Sequence, residues 1–431
     1  MLDNFIKFLA GKSKVYAPRE ELNSMRTNLL RKQLLFAYRN IPYYKKTFDE
    51  ANLNPQQLIS PDDLSAYPII TKDILRKYYD EIVNPKYFLG NLFKSHTSGT
   101  TGQPMWTYYD MTSWIRKKYF VKARARMECG VKPYEKIAIF ESQSQNSSDK
   151  ANIFFRTLKS RYKAFSMFEP DDKTLGKLMT FSPAVLYGAP SYFFQLARFI
   201  AENGFQLPFI RQIFTSSEYL QETVREYIKK VFNADVFDIY GSTEFKEVAW
   251  ECGKQEGYHI NEDEIIIEIV QNGKRVPHGV VGNIVITDLR NKLMPLIRYQ
   301  LHDKGVLITE KCSCGRTFSL MKPYAGRSSE YITLPDGGIL SPYLFTTSIE
   351  KINGLLQYQI VQTTKDKILV SVVTNSENSK QVGFSIKDIL SNITNKLMEI
   401  EVQFKTKLDI EENRKFKVVK NLTLEEKEIK I

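Results

Sequence analysis

Residues Asp235–Phe245 read DVFDIYGSTEF. Val236, Phe237, Ile239 and Tyr240 make a short apolar run that stops at Gly241, and two hydroxyls and a carboxylate follow. A run this short, closed by a glycine, predicts a buried β-strand. Three stretches upstream have the same form: KIAIF (136–140), AVLYG (184–188) and RQIFTS (211–216). Between them, SYFFQLARFIAENG and LQETVREYIKKVF space their apolar residues as helices do. Strand, helix, strand in repetition predicts an α/β fold with a largely parallel sheet. Ligands of such sheets gather at the carboxyl ends of the strands, where Gly241, Ser242, Thr243 and Glu244 fall.

The pattern changes on either side. Residues 20–90 are helical, broken at Pro42, with capping residues in SPDDL (60–64) and TKDIL (71–75). After residue 260, two alternating runs flank Asn272-Gly273, the signature of an antiparallel hairpin. Beyond Gly326 come QYQIVQTTKDKILVSVVT, a helix expected near 385–400, and EVQFKTKLDI, which together predict a small α+β module. The expected division is therefore 1–325 and 326–431.

A chain of 431 residues is too long for one ordinary core. The net charge of +12 favours anionic partners. The basic runs Arg116-Lys117-Lys118 and Lys122-Ala-Arg124-Ala-Arg126 follow helical spacing and predict a solvated helix face; no nucleic-acid signature accompanies them. No stretch is apolar enough to span a bilayer. The segment MLDNFIKFLAGKSKV carries Asp3 and Lys7 and lacks a cleavage site, so it predicts an amphipathic helix rather than a signal peptide. The expectation is a cytoplasmic protein with no nucleic-acid partner; a homodimer is compatible. Four cysteines in such a length make no disulfide framework.

Three motifs carry chemistry. Thr97, Ser98, Gly99, Thr100, Thr101 and Gly102 form a hydroxyl-and-glycine loop between two expected strands. Such a loop presents backbone N–H groups to an anion, although a polar hairpin turn has the same composition. In DIYGSTEF, Glu244 can hold Mg²⁺ beside a phosphate and Tyr240 can face a base; Ser242 would serve equally as the cap of a helix. In MPLIRYQLHDKG, Asp303 can accept from sugar hydroxyls or pair with Lys304. The Gly11-Lys12-Ser13 triplet is no Walker loop, because position 6 is Ile.

Taken in order, Thr97–Gly102, SSEYL (216–220), YGSTE (240–244), Asp303, GRSSEYI (326–332) and a lysine near the C-terminus resemble the adenylate-forming superfamily of acyl-CoA ligases, adenylation domains and luciferases. The opening stretches NIPYYKKTFDEANLNPQQL and LSAYPIITKDILR are similar to the phenylacetate–CoA ligase-like branch, which includes capsule-biosynthesis proteins. The resemblance spans nearly the whole chain. It implies a large N-terminal adenylation domain and a small mobile C-terminal lid. It further implies ATP and Mg²⁺ as cofactors, a carboxylic acid as substrate, and coenzyme A as acceptor.

Residue by residue, the resemblance places Thr97–Gly102 over the β- and γ-phosphates and Ser217, Glu218 and Tyr240 around adenine, beside Gly241 and Ser242. Thr243 falls at the α-phosphate, Glu244 at Mg²⁺, Asp303 at the ribose hydroxyls and Arg327 at the hinge. In ENRKFKVVK, Lys415 falls at the catalytic lysine, with Lys417 its rival because Arg414 replaces a glycine. Gln103 stands where a lysine is common, and Ser329-Glu330 where paired acids are usual. Two alternatives stand beside this reading: an amine or sugar of a surface polymer or secondary metabolite as acceptor, and an idle nucleotide binder.

Cys252, His259, Cys312 and Cys314 form a separate set. Three thiolates and an imidazole suit structural Zn²⁺, with every position filled by protein. Similar sets occur in the branch the chain resembles. Three reduced cysteines and an unrelated histidine would read the same.

Overall fold

The computed structural model describes residues 14–58, 60–84, 86, 93–96, 105–141, 161–167, 169, 171–327, 332–336, 339–340, 345, 348–349, 352–374, 379–408 and 416–425. Side chains at positions such as 96, 302 and 325–327 are outside that description. The amphipathic N-terminal helix, the Thr97–Gly102 loop, Gln103, Ser329-Glu330, Arg414 and Lys415 lie outside the described residues.

The chain forms two compact units. The first joins Met1–Cys129 to Ile239–Pro323, and the second joins Gly130–Asp238 to Tyr324–Ile431.

The second unit holds the parallel strands foreseen from the sequence. Tyr162–Ser166, Ile137–Glu141, Val185–Gly188 and Gln212–Ser216 lie in that order, each pair parallel. Helices Pro190–Glu202 and Glu222–Phe232 pack beside them through Phe193, Leu196, Val224 and Ile228. Gly188 is required by packing: a Cβ there would lie 2.9 Å from the Phe140 Cβ. The same unit contains the small α+β module. Its four strands run in the order Glu399–Phe404, Lys367–Thr374, Leu355–Thr364, Val419–Asn421. The helix is Ser379–Ile393, earlier than the expected 385–400, and the chain re-enters a strand at Glu399. Val382, Ile386 and Leu390 are its fully buried stripe, spaced by four residues.

The first unit is mostly antiparallel. Lys274–Arg275, Ile265–Gln271, Gly282–Asp288 and Tyr299–Ile308 are successive neighbours, followed by Leu320–Arg327, Tyr258–Ile260 and Lys246–Glu251. The Asn272-Gly273 turn is as expected, with both residues left-handed (φ 50° and 77°). Helices Arg19–Asn40 and Pro42–Glu50 cover this sheet through Leu30, Leu34, Tyr44 and Phe48.

The basic stripe departs from its expectation. It belongs to Met111–Ile115, the π-helical turn Arg116–Val121 and Lys122–Glu128. Lys117, Arg124 and Arg126 are buried. Lys117 pairs with Asp288 (2.9 Å), and Arg124 makes a two-pronged pair with Asp263 (2.6 and 2.7 Å). These carboxylates come from far along the chain, so the charge is an internal ion-pair network. Burial opposes ionisation of Asp263, yet Arg124 overrides it and holds the carboxyl below its ordinary range.

Candidate functional site and metal centre

In the first unit, the end of strand Asp235–Ser242, from Ile239 on, turns back into Lys246–Glu251. Ser242 pairs with Lys246, so Thr243, Glu244 and Phe245 form a three-residue hairpin loop. The Ser242 hydroxyl accepts from the Phe245 N–H (3.2 Å). A strand follows, not the helix whose cap Ser242 offered as the alternative. Three-residue hairpins close on a left-handed residue, and here that residue is Lys246 (φ 65°). Gly241 is compulsory, because a Cβ there would lie 2.6 Å from the Lys246 carbonyl oxygen.

The buried Tyr109 hydroxyl lies between the Thr243 and Glu244 carbonyl oxygens (2.7 and 2.8 Å). Burial, reinforced by Glu244, keeps this phenol protonated. The Glu244 carboxylate is also buried, and its Oε1 lies 3.4 Å from the Tyr299 hydroxyl. Tyr240 donates to Asp303 Oδ2 (2.9 Å). Two of the foreseen residues, 63 positions apart, thus meet directly.

Lys246 was not singled out from the sequence. Its ammonium donates to the Ser95 hydroxyl, two residues before Thr97. The rings of Tyr109 and Trp114 flank it at 5.3 and 5.4 Å. Burial and the nearby Lys118 lower its pKa to about 7. The only sequence signal was a lysine directly after a turn, which is uninformative until the hairpin is known.

In the second unit, Ser217 is left-handed (φ 80°) just past the end of strand Gln212–Ser216. Glu218 accepts from the Ser191 N–H (3.2 Å) at the start of helix Pro190–Glu202, where a carboxylate is favoured. Its other oxygen accepts from the Phe416 N–H (2.9 Å). The residue adjoining Lys415 is therefore tied to the SSEYL motif. The rival Lys417 lies in the same run, its carbonyl bonded to Gln359 (2.8 Å). Arg327 ends strand Leu320–Arg327.

The cysteine set converges. The ligand atoms of Cys252, His259, Cys312 and Cys314 all lie within 4.8 Å of one another. Cys252 and Cys312 sulfurs are 3.6 Å apart, and Cys314 Sγ is 3.4 Å from His259 Nε2. Tetrahedral zinc with bonds of about 2.3 Å places its sulfurs roughly 3.8 Å apart, so the cluster fits that ion. His259 Nδ1 faces the Phe318 carbonyl (3.2 Å), the outer-shell bond that turns Nε2 toward a metal. Glu256 accepts from both the N–H and hydroxyl of Ser313 (2.7 and 2.6 Å), joining the two ligand loops. Gly315, left-handed at φ 80°, permits the tight Cys-x-Cys turn. Cys129 stands apart, donating to the Glu251 carbonyl (3.2 Å), with burial pushing its thiol pKa up.

No protein-family model matches the chain. The phenylacetate–coenzyme A ligase of Thermus thermophilus is 25% identical over 395 residues, covering 87% of this chain and 86% of that protein. Protein CapK of Staphylococcus aureus is 27% identical over 353 residues, covering 79% and 76%. Among solved structures, 2-hydroxyisobutyryl-CoA ligase in complex with 2-HIB-AMP aligns with a TM-score of 0.78 at 20% identity, covering 96% of this chain and 92% of that one. The ordered motifs, the mixed sheets and these likenesses agree: over most of its length the chain is similar in sequence to phenylacetate–coenzyme A ligases and CapK, and it shares its fold with a CoA ligase solved in complex with an acyl-AMP.

Proposed function

We propose that the protein is an ATP-dependent ligase that adenylates a carboxylic acid and passes the acyl group to coenzyme A. The observation that carries this reading is the likeness to named CoA ligases over most of both chains. In the first step, a carboxylate oxygen attacks the α-phosphorus, the bond to pyrophosphate breaks, and acyl-AMP forms. In the second, a thiolate attacks the acyl carbon and AMP leaves. Neither step requires a nucleophile from the protein.

On this reading the division of labour is 1–325 for adenylation and 326–431 for a lid that carries Lys415. Ser217, Glu218 and Tyr240 border the adenine. Tyr240 orients Asp303 toward the ribose through its 2.9 Å bond. Gly241 and Ser242 shape the hairpin, and Thr243 reaches the α-phosphate. Lys415 is assigned to the acyl-phosphate oxygens; the bond from the Phe416 N–H to Glu218 supports this by tying the next residue to the motif that borders the adenine. The loop Thr97–Gly102 supplies donors to the β- and γ-phosphates, and Arg327 belongs to the hinge. Magnesium, when bound at Glu244, neutralises the charge that develops during transfer. Zinc at Cys252, His259, Cys312 and Cys314 would be structural, since protein fills all four positions.

A panel of carboxylic acids with ATP, with and without coenzyme A, tests the proposal. At least one acid should release pyrophosphate and give a thioester by mass spectrometry. Pyrophosphate release that needs an added amine and yields no thioester would move the acceptor to an amine of a surface polymer. No release with any acid would favour an idle nucleotide binder.

A further inference from the structure

Within the second unit, strand Leu355–Thr364 pairs with Val419–Asn421 only from Ile360 to Gln362. Backbone groups two residues apart on a strand point the same way. The Ile360 N–H donates to the Val418 carbonyl (2.8 Å), so the Leu356 and Tyr358 carbonyls face that same side, ahead of the point where the neighbouring strand begins. Side chains take them instead. Thr223 Oγ1 donates to the Leu356 carbonyl (3.0 Å), and Gln221 Nε2 donates to the Tyr358 carbonyl (3.2 Å). The open edge of the α+β module is thus tied to the start of helix Glu222–Phe232. Glu218 adds a third tie through the Phe416 N–H (2.9 Å).

The chemistry of this joint points to a use beyond packing. Gln221 stands at the N-cap of its helix, where Ser, Thr, Asp and Asn are favoured, and its side chain caps nothing. The amide is buried, and its Oε1 has no hydrogen-bond partner among the described residues. A half-satisfied buried amide costs stability that an apolar side chain of similar size does not. It suits a surface that separates, because water can then satisfy both the amide and the strand carbonyls.

We propose that Gln221 and Thr223 are positioning residues: they clasp the α+β module against the SSEYL motif for adenylation and release it for transfer to the acceptor. This rests on the adenylation reading, in which Glu218 borders the adenine and the residue before Phe416 is the catalytic lysine.

The test takes the full chain, an acid that the wild type turns over in the panel above, and the acyl-AMP of that acid made chemically. Gln221→Leu and Thr223→Val remove the two donors at nearly constant volume and leave the strand carbonyls better satisfied by water than by the seated module. Each should slow pyrophosphate release roughly tenfold, while transfer from supplied acyl-AMP to the acceptor holds within about twofold. Hydrogen exchange at residues 416–418 should quicken in both variants. Thr223→Ser, which keeps the hydroxyl, should retain the wild-type rate of release. Unchanged pyrophosphate release in Gln221→Leu and Thr223→Val would overturn the clasp while leaving adenylation intact. Equal losses in the two half-reactions would make both residues merely structural and overturn it as well. A wild type that releases no pyrophosphate with any acid would instead overturn the adenylation reading, and the clasp with it.

Discussion

The Cys252–Cys314 corner and the Tyr240–Lys246 hairpin grow from opposite ends of one strand, Lys246–Glu251, yet they are built on opposite logic. At the corner, four ligand atoms already converge within 4.8 Å, and the outer partners Phe318 and Glu256 fix the rings and loops around them. The hairpin is tense. It needs a glycine with no room for a Cβ, a left-handed lysine and a buried carboxylate. A site that closes on itself serves stability. A hairpin under such constraints gives up stability, which functional sites commonly do.

If zinc sits at the Cys252–Cys314 corner as proposed, losing it should do the most damage. Structural zinc contributes folding free energy on the order of 10 kcal/mol in small domains, and part of that should appear here. Purified protein should contain about one zinc per chain by elemental analysis. Strong chelation, or Cys312→Ser, should lower the melting temperature by ten degrees or more. A melting curve indifferent to both would reduce the corner to a cluster of thiols.

Lys415→Ala should act in the opposite sense. Pyrophosphate release should fall by about 10²–10³-fold, the cost of one lost transition-state donor, with the melting temperature and ATP affinity retained. Full turnover in this variant together with its loss in Lys417→Ala would transfer the role to Lys417.

Gly241→Ala should affect folding far less than loss of the metal and still be measurable. Its methyl group would meet the Lys246 carbonyl at 2.6 Å, and overpacking of this kind costs roughly 1–3 kcal/mol. Denaturant unfolding should register that loss, and ATP affinity should fall with it because the hairpin must shift. An unaltered variant would mean that the hairpin is not under tension, and the contrast with the corner would fail.

Much of this was legible from the sequence, for reasons that differ by region. The parallel strands and their helices were readable because each is a local run whose period shows its own burial. The Asn272-Gly273 hairpin was readable because two left-handed residues have few other uses. The Cys₃His set was readable because thiols are scarce and chemically specific. The helix near 385–400 was displaced because its buried stripe, Val382, Ile386 and Leu390, begins before the expected start and gives way to a strand at Glu399.

What the sequence by itself determined, then, was the order of strands and helices, the family resemblance, and the identity of the chemical groups. Tertiary structure alone decided which charges meet. Arg124 reads as a solvated lysine-like position until Asp263, 139 residues away, arrives beside it. Tyr240 and Asp303 become a pair only when the fold brings together two strands that are not neighbours in the sheet. Lys246 looks like any surface lysine until a hairpin forces it left-handed and turns its ammonium to Ser95. The physical reason is common to all three. Propensity and period act over a few residues, whereas the worth of a charge depends on burial and on partners that only the folded chain brings near.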